Sequence, residues 1–401
     1  MALDFQQIRQ KVIELGEKAV DREQHLETLR EKARELLENY AHDLGNLRKK
    51  VQQAVQHDPS LRCALPLGDE EQPVEPLNAV IPLPPLPKSA TFLAVDGSQI
   101  NPDRHAEIDY GLINIGAIKV RHNSPDPPQT FVECELFYGE QLYTPTGTLS
   151  EDMLALMRDL KERSILEKIA AQSASPVITL TDGPLELWGV KESGNGESSE
   201  YKKSLNLYLK TLTKLCELDI ITAGYVVKPG ANLVVRLLEI AETSGDLLSK
   251  IKARHPLRGV TEMNLYHPLL QPGDRSCVYA MQSQSAKFYA GELALHFFYL
   301  NVGRRGHPSL ARVEIPGWVA RNPEMLNNLH AALVYQCRIM GSRPYPYLLH
   351  RAHETAVVSL EEKEQVTQMI ILELRRRGVS VGEQSNKQSA KSLSGRTSYA
   401  G

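Results

Sequence analysis

The stretch that decides the fold is residues 91–98, Thr91-Phe92-Leu93-Ala94-Val95-Asp96-Gly97-Ser98. Its apolar run predicts a buried strand that ends at Asp96, so the strand would hold that carboxylate rigidly at the edge of a sheet. Gly97 leaves the backbone free to turn and leaves room for a ligand. The pattern returns at residues 176–183, Pro176-Val177-Ile178-Thr179-Leu180-Thr181-Asp182-Gly183. Two strands that each end in Asp-Gly predict neighbouring carboxylates, which hold a divalent metal or exchange protons.

The segments between these two runs predict the rest of a core. Residues 110–120 and 130–138 have the character of strands, and residues 150–172 form an amphipathic helix that leads into the strand at 176–182. This β-β-β-α-β order, with acids at the ends of its first and last strands, is that of an RNase H-like core. We therefore predict an α/β fold with a mixed sheet flanked by helices, in which the first strand is central and pairs with the last.

An N-terminal helical arm is predicted over residues 1–56. Its apolar residues recur at steps of three and four, as Leu26, Leu29, Ala33, Leu36, Tyr40, Leu44, Leu47 and Val51. The pattern allows one long helix or two helices hinged near Asp21. It also leaves open whether the arm packs on its own domain or is a coiled-coil arm for dimerisation or partner docking.

Three further segments complete the predicted domain organisation. Residues 57–90 are a proline-rich linker, because repeated prolines exclude a regular helix or a central strand. Residues 91–378 form the main domain. Residues 379–401 are rich in serine, lysine and glutamine and poor in apolar residues, so we expect a disordered tail, and residues 189–200 are expected to form a polar loop.

Composition sets the class of protein. The chain has 401 residues, 42% of them hydrophobic, and a net charge of -3, so it has no global basic field. A local basic groove would still suffice for nucleic acid. The five cysteines are scattered, which fits a reducing cytoplasm. The first residues do not resemble a signal peptide, and no apolar run reaches the roughly 18–20 residues of a membrane span.

A third carboxylate is expected from the helix between the two aspartates. We favour Glu167, because it is flanked by apolar residues of the predicted buried stripe. Glu162 and Asp159 are its rivals.

Histidine and basic residues supply the remaining candidates. His353 lies at a helix start, where it is either a metal ligand and proton relay or a hydrogen-bonded structural histidine. Lys228 ends a strand and is either a point charge for a phosphate or an ordinary surface lysine. Arg312, Arg343 and Arg351 belong to local basic clusters that could line a groove for phosphates. The sequence lacks a Walker A motif, so an ATP-driven motor would have to be a separate partner.

Taken together, these motifs resemble the NurA nuclease family over about residues 90–360. The matching pieces are Ala94-Val95-Asp96-Gly97-Ser98, the helix acid Glu167, Thr181-Asp182-Gly183-Pro184-Leu185, Gly224-Tyr225-Val226-Val227-Lys228, Arg312-Val313-Glu314-Ile315-Pro316, Pro344-Tyr345-Pro346-Tyr347 and Ala352-His353. The resemblance implies an RNase H-like, manganese-dependent 5′-to-3′ DNA exonuclease, often with single-strand endonuclease activity. It also implies a homodimer that docks on a HerA-type hexameric translocase and acts in DNA end resection.

By the same resemblance, Asp96, Glu167 and Asp182 would be metal ligands, and Tyr345 and His353 would complete the site. Hard oxygen ligands suit Mn²⁺ or Mg²⁺, and two such ions would serve phosphodiester hydrolysis. His353 would bind metal or relay a proton, and Tyr345 would position the phosphate or the DNA strand. Two alternatives stay open: a non-catalytic RNase H-like adaptor for a DNA translocase, and an RNase H-like endonuclease of other substrate specificity.

Overall fold

The computed structural model describes residues 4–68, 74–103, 106–144, 147–187, 199–379 and 381. The loop predicted at 189–200 and the tail predicted at 379–401 lie almost entirely outside these ranges. The helices are α1 (Phe5–Asn39), α2 (Leu44–His57), α3 (Glu151–Ala171), α4 (Ser199–Glu217), α5 (Leu233–Glu242), α6 (Glu262–Tyr266), α7 (Gly317–Ala320), α8 (Pro323–Ile339), α9 (Tyr347–Ala356) and α10 (Leu360–Arg376). The strands are β1 (Cys63–Pro66), β2 (Val80–Ile81), β3 (Thr91–Ile100), β4 (Gly111–Arg121), β5 (Gln129–Phe137), β6 (Tyr143–Thr144), β7 (Gly147–Thr148), β8 (Val177–Asp182), β9 (Ile221–Val227), β10 (Arg275–Ser276), β11 (Tyr279–Gln282), β12 (Leu295–Asn301) and β13 (Leu310–Pro316).

The chain folds into two compact units, each built from two separate segments. Residues 1–86 and 223–345 form the first unit, and residues 87–222 and 346–401 form the second. The predicted start of the main domain at residue 91 lies close to the first boundary. The other two boundaries, after residues 222 and 345, fall inside the predicted domain, because nothing in the local sequence marks the points where the chain passes from one core to the other.

The second unit is built on a sheet in the order β8-β3-β4-β5. β3 runs parallel to β8 and antiparallel to β4, which is antiparallel to β5. The chain order β3-β4-β5-α3-β8 confirms the predicted β-β-β-α-β core, with the first strand next to the last. The apolar run at the start of β3 is fully buried, as the sequence predicts.

Two glycines let helices approach this sheet closely. A β-carbon on Gly97 would lie 2.7 Å from Cγ of Arg158 in α3, and one on Gly116 would lie 2.6 Å from the backbone nitrogen of Ala356 in α9. Gly116 lies opposite Asp96 in the β3–β4 register, so the two share a face. Gly97 faces the other way, because successive residues of a strand alternate. Thus α3 and α9 pack on opposite faces, each where the sheet carries no side chain.

The first unit contains strands in the order β1-β11-β12-β13-β9. β13 is antiparallel to β12 and to residues 224–227 of β9. β1 and β2 fall inside the predicted linker, so this segment is more regular than its prolines suggest. β1 pairs with β11 and ends at Pro66 at the end of that strand order, a place where proline is tolerated because it removes no central ladder hydrogen bond.

The N-terminal arm is two helices, and they separate at residues 40–43 rather than near Asp21. The break has a tertiary cause: Ala41 is buried, and its carbonyl oxygen accepts a hydrogen bond from the backbone nitrogen of Leu77, 3.0 Å away. Ala33 and Leu37 are buried, so the second half of α1 packs on its own unit. Nearly all residues of the first half, from Asp4 to His25, are exposed. No helix in the described ranges is both long and apolar enough to span a bilayer.

Candidate active site

The register of β3 and β8 brings the two aspartates together. Asp182 is the last residue of β8, but β3 continues past Asp96 to Ile100, so the prediction that this strand ends at Asp96 is wrong. The last register pair of these parallel strands is Val95 with Thr181, so Asp96 and Asp182 each follow the pair by one residue. Both line a pocket of about 360 Å³ in the second unit. The Asp96 side chain is 17% exposed, and its Oδ1 accepts a hydrogen bond from the backbone nitrogen of Gly97 at 2.9 Å.

The pocket is strongly acidic. The carboxylates that line it are Asp96, Asp159, Glu162, Asp182 and Glu186. Its cationic or ionisable basic groups are Arg158, Arg163 and His353. Five carboxylates around one small cavity repel one another, an arrangement that a bound cation would relieve.

Glu162 is the buried acid of α3. Its carboxyl group is enclosed between two arginines: Oε2 lies 2.9 Å from Nη1 of Arg163, and Oε1 lies 3.4 Å from Nε of Arg158. Burial raises the pKa of Glu162 to about 8, the two arginines oppose that rise, and Asp159 and Asp96 add to it. Gly97 makes room for this carboxylate, since a β-carbon there would lie 2.7 Å from Glu162 Oε1.

Glu167, the helix acid favoured from the sequence, lies elsewhere on α3. It is not among the residues that line the pocket, and its Oε2 lies 3.4 Å from Nζ of Lys214 in α4. The structure thus brings its rival Glu162 to the two aspartates. A signal for this exists in the sequence, because Glu162 continues the four-residue spacing of the buried residues Leu154, Leu166 and Ala170.

His353 reaches the same pocket from α9. Its Nδ1 lies 2.7 Å from Oδ2 of Asp96, and its side chain is 61% exposed. Two hydrogen bonds fix the end of the helix: the carbonyl oxygen of Ala356 accepts from Ser98 Oγ at 2.5 Å and from Asn114 Nδ2 at 2.7 Å. These donors replace the backbone donors that a helix end lacks, so they hold His353 against Asp96.

The other predicted residues fall into different settings. Arg351 is exposed on α9 and bonds Glu354. In the first unit, Lys228 and Arg343 are exposed, and Tyr345 packs edge-on against Tyr225 with ring centroids 5.8 Å apart.

Arg312 differs from these residues because it is buried. Its side chain is 6% exposed, and its Nε and Nη2 lie 3.0 and 2.9 Å from Oε1 of Glu314. Its guanidinium is thus paired within its own unit, and a contact of Arg312 with nucleic acid stays a prediction.

The donor set of the pocket fits a hard divalent ion. Carboxylate oxygens are the protein ligands that suit Mg²⁺ and Mn²⁺. Within the described residues, no three His, Cys, Asp or Glu side chains are arranged as they stand to hold one ion together. Glu162 is turned toward its arginines and Asp96 toward His353. These two carboxylates, with Asp182, are the groups that would hold the metal.

Comparison with known proteins places the chain in a family. A family model described as the NurA domain matches residues 90–358. No curated protein matches the chain.

Solved structures with low sequence identity are also similar. The NurA nuclease from Sulfolobus solfataricus is 13% identical, with a TM-score of 0.48, and the match covers 92% of this chain and 98% of that one. A NurA structure with manganese is 10% identical, with a TM-score of 0.42 and coverage of 73% and 91%. Endonuclease V of Ciona intestinalis, in complex with DNA, is 10% identical, with a TM-score of 0.28 and coverage of 80% and 97%. Because the family model spans more than half of its length, the chain belongs to the NurA domain family.

Proposed function

We propose that this protein is a divalent-metal-dependent DNA nuclease. Membership of the NurA domain family supports the class of reaction. The observation that carries the proposal is the pocket of the second unit, which combines Asp96 from β3, Asp182 from the end of β8, the buried Glu162 from α3 and His353 from α9.

Three carboxylates would hold the metal. Asp96 and Asp182 keep the roles expected from the sequence, and Glu162 takes the role expected of Glu167, because it alone of the two lines the pocket. When bound, the divalent ions supply an activated water and neutralise the charge that develops at phosphorus. A rigid sheet edge suits this task, since the carboxylates of adjacent strands cannot drift apart.

His353 would bind metal or move a proton. Its Nδ1 engages Asp96 at 2.7 Å, which fixes the orientation of the ring. The imidazole is mostly exposed, so its Nε2 can give a proton to the leaving oxygen or take one from water. Tyr345 as the group that positions the phosphate stays a prediction from the family resemblance.

The finer assignment is a 5′-to-3′ exonuclease with single-strand endonuclease activity that acts in double-strand-break end resection. We propose Mn²⁺, or Mg²⁺, as the cofactor. The protein would be a homodimer in the cytoplasm and would work with a HerA-type hexameric translocase. The family resemblance of the motifs supports these assignments. Lys228, Arg343 and Arg351 are exposed cations and remain our candidates for contacts to DNA.

The test is a degradation assay with end-labelled single-stranded DNA, duplex DNA and RNA–DNA hybrid, in Mg²⁺ and in Mn²⁺. We expect DNA cleavage by the wild type and a loss of at least about a hundredfold in Asp96→Asn, since a metal ligand supplies several kcal/mol. Circular dichroism of the variant checks that its fold is retained.

Other outcomes would identify the alternatives. No degradation with either metal, together with tight binding to a translocase, would identify a non-catalytic adaptor. Preferential cleavage of the hybrid would identify a different RNase H-like specificity. Wild-type cleavage by Asp96→Asn in Mn²⁺ would remove this pocket from the chemistry.

A further inference from the structure

The three basic groups of the pocket are held in different ways. Arg163 is buried, and His353 is bound to Asp96. Arg158 is 29% exposed, so among these three it is the guanidinium that both lines the cavity and reaches solvent. A phosphate that enters the pocket can therefore meet Arg158 without any rearrangement of the core.

Gly97 places Arg158 beside the reacting groups. The Arg158 side chain crosses β3 where that strand has no side chain, since a β-carbon on Gly97 would lie 2.7 Å from its Cγ. Gly97 directly follows Asp96 and its nitrogen bonds the Asp96 carboxylate. The side chain of Arg158 thus passes next to the residue that directly follows Asp96.

The hydrogen bonds of Arg158 leave capacity for a ligand. Nη2 donates to Asp159 at 2.9 Å, and Nη1 donates to Gln99 at 3.3 Å. Nε is buried and has no hydrogen-bond partner, although it lies 3.4 Å from Glu162 Oε1. A guanidinium has five N–H donors, and its planar fork matches the oxygens of a phosphate.

The charge of the pocket creates the need for such a group. Five carboxylates repel the anionic backbone of DNA. Bound divalent ions would offset part of that charge, and the two arginines of the pocket offset another part. Arg163 is committed to Glu162, Pro184 and the ring of Tyr208, so it cannot turn to a substrate. Arg158 is the arginine that can exchange a neighbouring carboxylate for a phosphate oxygen.

We propose that Arg158 is a further catalytic residue, which binds a non-bridging oxygen of the phosphate that is cleaved. The assignment rests on the proposed nuclease function. Charge-assisted hydrogen bonds from arginine to phosphate are strong and specific, so loss of this contact lowers the rate of cleavage and the affinity for DNA together.

The experiment compares Arg158→Met and Arg158→Lys with Lys161→Met. Lys161 is a matched control: it lies on the same helix and pairs with Glu133 and Glu135, outside the pocket. For each variant we would measure kcat and KM on single-stranded DNA in Mn²⁺, oligonucleotide affinity in Ca²⁺, and Mn²⁺ affinity without DNA. Circular dichroism and thermal unfolding check the fold.

Arg158→Met should lower kcat/KM by roughly ten- to a hundredfold and weaken the oligonucleotide affinity, while Mn²⁺ affinity is unchanged or higher because a positive charge is gone. Arg158→Lys should recover part of the loss, and Lys161→Met should match the wild type.

Unchanged cleavage and DNA affinity in Arg158→Met would overturn the proposal. So would a fall in Mn²⁺ affinity that accounts for the loss, because Arg158 would then act only through Glu162. If the wild type cleaves no DNA, the proposed nuclease function is wrong. The oligonucleotide affinity in Ca²⁺ then tests by itself whether Arg158 binds a phosphate.

Discussion

Glu162 in the second unit and Glu262 in the first are both buried, and burial raises the pKa of each carboxyl to about 8. Their surroundings differ. Glu262 Oε1 accepts hydrogen bonds from the backbone nitrogens of Val234 and Val235, at 2.7 and 3.2 Å, and so caps the start of α5. Among the residues that the structure describes, the partners of Glu162 are arginine side chains, and it faces a cavity shared with other carboxylates.

The comparison shows that a raised pKa does not by itself mark a functional acid. Both shifts come first from burial, which disfavours the charged form wherever it occurs. The groups around each carboxyl distinguish Glu162 from Glu262. Asp159 and Asp96 raise the pKa of Glu162 further, whereas backbone donors and Arg312 oppose the shift at Glu262. Like charges gathered around a cavity indicate a cation site, and backbone donors indicate a structural cap.

The largest expected effect is on cleavage by Glu162→Gln. The substitution keeps the shape of the side chain but removes a metal-binding charge, so activity should fall by at least about a hundredfold. It also leaves the buried guanidinium of Arg163 without its carboxylate partner, so the metal-free protein should unfold at a lower temperature. Cleavage assays and thermal unfolding measure the two effects. Near-normal cleavage would show that Glu162 is structural, like Glu262.

The second prediction concerns Glu262→Ala. This change leaves the nitrogens of Val234 and Val235 without their buried acceptor, which should lower the free energy of unfolding by about 2–4 kcal/mol. Glu262→Gln is the control, because an amide oxygen can still accept both bonds and should cost less. Denaturant unfolding gives both values. Equal losses in the two variants would mean that the carboxylate charge, rather than the cap, stabilises α5.

The third prediction is a pH dependence with a defined sign. The folded pKa of Glu162 and of Glu262 is about 8, above the ordinary value of 4.5. Each group therefore favours the folded state most below pH 4.5, and this contribution is lost as the pH rises from about 4.5 through about 8. The unfolding temperature of the metal-free wild type should fall relative to Glu162→Gln and to Glu262→Gln over that range.

Metal ions should separate the two groups in the same experiment. Added Mn²⁺ should reduce the difference in pH dependence between the wild type and Glu162→Gln, because a bound cation favours the ionised carboxylate. It should leave the difference for Glu262→Gln unchanged. The pH dependence of the wild type is compared with that of Glu162→Gln and with that of Glu262→Gln. If Mn²⁺ changed both differences by the same amount, a metal site at Glu162 would be contradicted.

The smallest expected effect is that of Glu167→Gln. This change removes an ion pair with Lys214, whose side chain is 59% exposed, and such pairs are worth at most about 1 kcal/mol. Cleavage should stay within about twofold of the wild type in the same assay as Glu162→Gln. A large loss in Glu167→Gln alone would restore Glu167 as the helix acid.

The sequence predicts the core of the second unit because its strands contain unbroken apolar runs. Residues 91–95 of β3 are buried, although the strand continues past Asp96 to Ile100. β3 and β8 pair in parallel, and their last register pair, Val95 with Thr181, comes directly before the two Asp-Gly pairs. The structure brings Asp96, Asp182 and His353 to one pocket, and their roles in the site stay predictions.

The helix acid could not be chosen in the same way. α3 has apolar residues around much of its surface, and Glu162 and Glu167 both have buried neighbours. The choice depends on how α3 crosses β3, and that crossing is set by the absent side chain of Gly97. The burial of Arg312 and the break between α1 and α2 likewise depend on tertiary contacts with residues far along the chain.

Gly97 and Gly116 limit the substitutions that this protein can accept during evolution. Neither carries a group that reacts, yet a β-carbon on Gly116 would meet the backbone of α9 at 2.6 Å, and one on Gly97 would meet two side chains of α3 at 2.7 Å. A glycine-to-alanine substitution often increases stability, but these close contacts exclude it at both positions. In a library of all single substitutions we expect these two glycines to tolerate as little variation as Asp96, Gly116 least of all. A record of tolerated substitutions would thus outline the pocket through residues that take no part in its chemistry.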